Sequence, residues 1–79
     1  MRFYTFDVVI EKEPDDPGYF AYIPELPGCV TGGLTVEETR ENMREALALY
    51  LESLRADGIA IPQPERPVVR EQITLAVPA

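Results

Sequence analysis

Histidine is absent from this 79-residue chain, and cysteine, serine and lysine occur once each, as Cys29, Ser53 and Lys12. Without histidine the chain lacks the commonest general base near neutral pH and the commonest transition-metal ligand. One cysteine gives no disulfide and no zinc cluster. With no histidine to activate it, Cys29 reads as a small buried hydrophobe rather than a nucleophile. Ser53 falls on a predicted helix with no base beside it, and Lys12 falls at a turn, where solvation is the expectation. Long apolar runs are missing as well. Arg2, Thr5 and Asp7 interrupt the opening segment, so it does not read as a signal peptide. No stretch approaches the ~20 residues of a membrane span. The expectation is a cytoplasmic protein with no membrane partner.

Positive charge is scarce. Seven basic residues face fourteen acidic ones, for a formal charge of −7. Phosphate backbones are bound by Lys and Arg, so direct nucleic-acid binding is not expected. An acidic surface suits a basic protein partner, and it serves solubility equally well. Gly28, Gly32 and Gly33 lack the spacing of a phosphate-binding loop, and the acidic turns lack EF-hand spacing. No cofactor, metal or catalytic residue is therefore expected. One enzymatic alternative is a metal-dependent nuclease on Asp7 with Glu11, but nothing in the spacing sets a second acid beside Asp7.

What is present is patterned. Phe3 to Ile10 alternates, with Tyr4, Phe6, Val8 and Ile10 on one side, which predicts a strand. Pro14-Asp15-Asp16-Pro17-Gly18 is turn chemistry, and Tyr19 to Ile23 resumes as the second strand of an antiparallel hairpin. Pro24-Glu25-Leu26-Pro27-Gly28 is a rigid connector to a short third strand at Cys29-Val30-Thr31. Thr35-Val36-Glu37-Glu38 has capping-box spacing, in which Thr35 accepts from the Glu38 amide and Glu38 reaches back to the Thr35 amide. A helix is predicted from Val36, with Val36, Met43, Ala46, Leu47, Tyr50, Leu51 and Leu54 inward and a stop at Gly58. Prolines then enforce extended chain, and Val68 to Val77 alternates as a fourth strand. The predicted fold class is α+β, in the order β-β-β-α-β, as one domain over residues 1–79: a small antiparallel or mixed sheet with one helix on one face.

A single helix covers one face only. In the second strand either Tyr19, Ala21 and Ile23 or Phe20 and Tyr22 must point away from it, so aromatic rings are exposed either way. A domain this small buries only ~60% of its unfolded surface. Both points lead to the expectation of a homodimer or higher homo-oligomer.

The segments Gly18-Tyr19-Phe20-Ala21-Tyr22-Ile23-Pro24-Glu25-Leu26-Pro27-Gly28-Cys29, Gly33-Leu34-Thr35-Val36-Glu37-Glu38 and Asn42-Met43-Arg44-Glu45-Ala46 together resemble the HicB-like antitoxin family. Gly58 and Ile61-Pro62-Gln63-Pro64 match that family's helix exit. Gly33-Leu34-Thr35 departs from it in carrying an apolar residue where a polar one is frequent. The resemblance implies a partial ribonuclease-H-like fold without nuclease activity. It implies a protein-binding role, masking the active surface of a small basic toxin that cleaves messenger RNA. Full antitoxins of this kind carry a C-terminal DNA-binding segment. With Ala79 directly after the predicted fourth strand, autorepression is not expected. Asp15, Asp16, Glu25, Glu37 and Glu41 are the expected partner-binding acids, chosen for exposure. The alternative is a stand-alone homo-oligomeric structural or regulatory module with no toxin partner.

Overall fold

The computed structural model describes residues 2–62 and 71–78. Three strands, β1 (Val9–Lys12), β2 (Tyr19–Tyr22) and β3 (Val30–Gly33), precede one helix, α1 (Val36–Ala56). The sheet is antiparallel throughout, in the order β1-β2-β3. The arrangement is α+β, as predicted.

Register decides which residues share a face. Ile10 stands opposite Ala21, and Ala21 opposite Thr31. This set faces α1, and Ala21 is fully buried. Ile23, Leu26, Cys29 and Met43 complete the buried core, with Phe6, Ile10, Ala46, Leu47, Tyr50 and Leu51 packed around them. Each large member contributes ~1.5–3 kcal/mol by leaving water. The first strand keeps the predicted phase, but its ladder with β2 starts only at Val9. The four residues of β2 match only Val9 to Lys12.

The helix starts where predicted. Thr35 is its N-cap, accepting from the Glu38 amide at 3.0 Å, an arrangement that stabilises a helix by ~1 kcal/mol. The returning half of the box differs from prediction: the Glu38 carboxylate accepts from the amide of Leu34, at 3.4 Å, rather than from that of Thr35. The apolar spacing left a gap between Val36 and Met43, and Thr39 fills it. Thr39 is 0% exposed. Its hydroxyl donates to the Thr35 carbonyl at 2.7 Å, so a polar side chain enters the core with its hydrogen bond made. Asp57 caps the C-terminus, and Gly58 follows at φ 69°, a left-handed conformation that glycine adopts without strain.

The predicted fourth strand, Val68 to Val77, is only partly within view, since 68–70 lie outside the described residues. Over 71–78 no strand is assigned, and Ile73, Leu75 and Val77 are 79%, 78% and 81% exposed. Alternation makes a strand only where a neighbour supplies the ladder. No helix among the described residues is long and apolar enough to cross a membrane.

Candidate binding surface

The sheet face turned away from α1 is fixed by the same register. Val9, Tyr22 and Val30 form one cross-strand row, and Glu11, Phe20 and Gly32 the next. The rings of Phe20 and Tyr22 stack at 5.9 Å between centroids. Val30 is 59% exposed, and Val9, Phe20 and Tyr22 are half-buried. The result is a flat apolar-aromatic patch with Glu11 at its margin. Sequence reasoning foresaw aromatic rings on this face, but named none of these residues as contacts. The missing signal was the phase of β2, which is settled by Ala21 fitting beneath the helix.

The predicted partner-binding acids lie on three separate elements. Asp15 and Asp16 are exposed in the β1–β2 turn. Asp16 is also structural: its carboxylate accepts from the Gly18 amide at 2.9 Å, and its carbonyl accepts from Lys12 Nζ at 2.7 Å. Lys12 is therefore not merely solvated, as its place in the turn suggested. Its ammonium also reaches the Gly18 carbonyl at 3.3 Å and lies 5.2 Å from the Tyr19 ring centroid. Glu25, in the β2–β3 connector, is half-buried rather than exposed. The reason is that its loop folds inward: the backbone bonds Leu26 N to Ile23 O, Cys29 N to Leu26 O and Ile23 N to Cys29 O draw Leu26 into the core. Glu37 and Glu41 are exposed on α1, one turn apart and so on one side of the helix.

Two side chains tie the helix to β3 and to the β2–β3 connector. Tyr50 donates its hydroxyl to the Pro27 carbonyl at 2.8 Å, and Asn42 Nδ2 donates to the Gly32 carbonyl at 2.8 Å. Cys29 is buried, with its sulfur 3.9 Å from that of Met43. Burial pushes its thiol pKa above the ordinary 9.0. Among the described residues no three His, Cys, Asp or Glu side chains stand together as a metal site. The geometry here is an open apolar and aromatic sheet face, with the helix bonded on the opposite side.

Relatives of this chain are found by sequence. A UPF0150 protein of Helicobacter pylori (strain J99) is 50% identical over 54 residues, 68% of this chain and 72% of its own. A UPF0150 protein of Synechocystis is 44% identical over 62 residues, 78% of this chain and 77% of its own. Another, from Thermoplasma acidophilum, is 41% identical over 59 residues, 73% and 83% of the two chains. No solved structure gives a significant match. Residues 6–73 match the sequence profile described as HicB-like antitoxin of bacterial toxin-antitoxin systems, and on that match the chain belongs to the HicB-like antitoxin family.

Proposed function

We propose that this chain acts as a single protein-binding domain, the antitoxin of a cytoplasmic pair, and carries no catalytic activity of its own. Its partner on this reading is a small basic toxin that cleaves messenger RNA. The observation that carries the proposal is the open face of Val9, Phe20, Tyr22 and Val30 with acid at its border, on a chain of net charge −7. Apolar and aromatic centres with charged rims are how protein interfaces are built. Asp15, Asp16, Glu37 and Glu41 add to the negative field that draws in the basic partner, although Glu37 and Glu41 stand on the helix side of the sheet, and Glu25 contributes less because it is half-buried. The aromatic patch then excludes water from the contact.

The test is co-purification of the tagged chain from its native cells. A small basic protein at one-to-one stoichiometry, which cuts RNA alone and not in the complex, supports the reading. Recovery of the chain alone, under conditions that keep complexes intact, favours a second reading as a homo-oligomeric regulatory module. That reading draws on the exposed apolar residues of 71–78.

A further inference from the structure

Residues 71–78 are exposed at every position, although Ile73, Leu75 and Val77 recur at the spacing of a buried strand face. The segment does not fold back on its own body. The radius of gyration is 15.7 Å, against ~12 Å for a compact chain of this length. The longest extent is 54 Å and the shortest 20 Å.

Along one flank of α1, meanwhile, runs an unfilled groove. One hollow of about 290 Å³ lies between Phe6 and Val8 on one side and Arg40, Met43, Arg44 and Leu47 on the other. A second, of about 650 Å³, continues past Leu51 and Arg55 to Ala56 and Ile61. Tyr4 borders both. From Arg40 to Ala56 the helix rises ~24 Å.

We propose that this groove is filled by residues 71–77 of a second copy of the chain, in a reciprocal exchange that closes a dimer. Three matches carry the assignment. Extended, residues 71–77 span ~20 Å, most of the ~24 Å length of the groove. Glu71, Ile73, Leu75 and Val77 share one side of that extended chain, so an acid leads three apolar side chains into a cleft floored by Met43, Leu47 and Leu51. Arg40 and Arg44 line one end, where Glu41 stands 3.9 Å from Arg44, while Arg55 and Glu52 line the other; two cations against one acid place the Glu71 carboxylate at the first end, by Arg40. A two-fold exchange fills both grooves and covers both segments at once, leaving no further site to propagate. This surface is the helix flank, distinct from the aromatic sheet face, so the dimer forms whether or not a toxin exists.

Multi-angle light scattering and sedimentation on the full chain, without any partner, test it. The expected result is a dimer of the 8.9 kDa chain that dissociates on dilution. Leu75→Asp gives a monomer with unchanged helical circular dichroism, because Leu75 is 78% exposed in the isolated chain. Arg40→Glu with Arg44→Glu weakens the dimer by at least about tenfold, and adding Glu71→Arg restores much of it. Distance measurement in mixtures of separately spin-labelled chains places Val77 of one copy near Leu51 of the other. The proposal is overturned by a monomer at all concentrations. It is equally overturned by a dimer that survives Leu75→Asp but is broken by Val30→Asp, or by labels showing each segment in its own groove.

Discussion

Gly33 and Thr39 touch so closely that a Cβ on Gly33 would stand 2.8 Å from the Thr39 hydroxyl oxygen and 2.9 Å from the Thr39 amide nitrogen. β3 and the first turns of α1 meet here with no room for a methyl group. The backbone nitrogen belongs to the helical ladder, donating to the Thr35 carbonyl at 2.9 Å, and does not yield. Gly33→Ala is expected to cost about 1–3 kcal/mol, as overpacking does. Urea denaturation of the variant against the parent measures it. An unchanged midpoint would mean that β3 and α1 separate more easily than their contact suggests.

Thr39→Val tests the other side of the same contact. The shape is kept, but the hydroxyl that donates to Thr35 is removed. A net loss of ~1 kcal/mol is expected, since one intrahelical acceptor loses a partner and gains a methyl group in return. Thr39→Ala adds a cavity to that loss and is the more damaging of the two.

Met43→Ala removes the side chain that closes over Cys29. Cavity formation at a fully packed site costs about 2–5 kcal/mol. In so small a domain that loss is visible as a large drop in thermal midpoint.

The Cys29 thiol holds its proton more tightly folded than unfolded, because burial disfavours the thiolate. Unfolding above pH 9.0 therefore releases a proton, and this contribution to stability, constant below pH 9.0, declines as the pH rises toward the folded value. Comparing alkaline denaturation curves of the parent and Cys29→Ala isolates the term: the variant loses less stability per pH unit above 9.0. Alkylation of Cys29 is slow in the folded protein and speeds up as denaturant opens the core.

For the proposed partner, Glu37→Lys with Glu41→Lys is expected to slow association about tenfold at low salt. Stopped-flow rates from low to high ionic strength should fall for the parent and flatten for the variant. Rates independent of salt in both would remove charge from the recognition.

Much of this was legible in the sequence because the signals were local. The Thr35 cap, the acids of the first turn and the spacing of Met43, Leu47, Tyr50 and Leu51 placed the helix. The Asp-Pro-Gly turn placed the hairpin. The face of β2 was not legible, since Tyr19, Phe20, Ala21 and Tyr22 suit either side, and only the tight fit of Ala21 beneath α1 decides it. Thr39 escaped notice because a search for apolar periodicity passes over a threonine whose hydroxyl is satisfied within its own helix. Glu25 was misjudged as exposed because a carboxylate between prolines reads as surface until the loop's three backbone bonds are seen. The tail around Ile73, Leu75 and Val77 carries the right pattern for a strand, and pattern alone does not supply the neighbour.

The hydroxyl of Tyr50 meets the carbonyl of Pro27 across 23 residues of chain. A link of that separation needs β3 and the helix to have come together, so it is expected to form late on the folding path. Tyr50→Phe should therefore leave the refolding rate nearly unchanged and raise the unfolding rate instead. The bond acts as a latch on the exit from the native state, and a chain lacking it would fold as quickly but stay folded for less time.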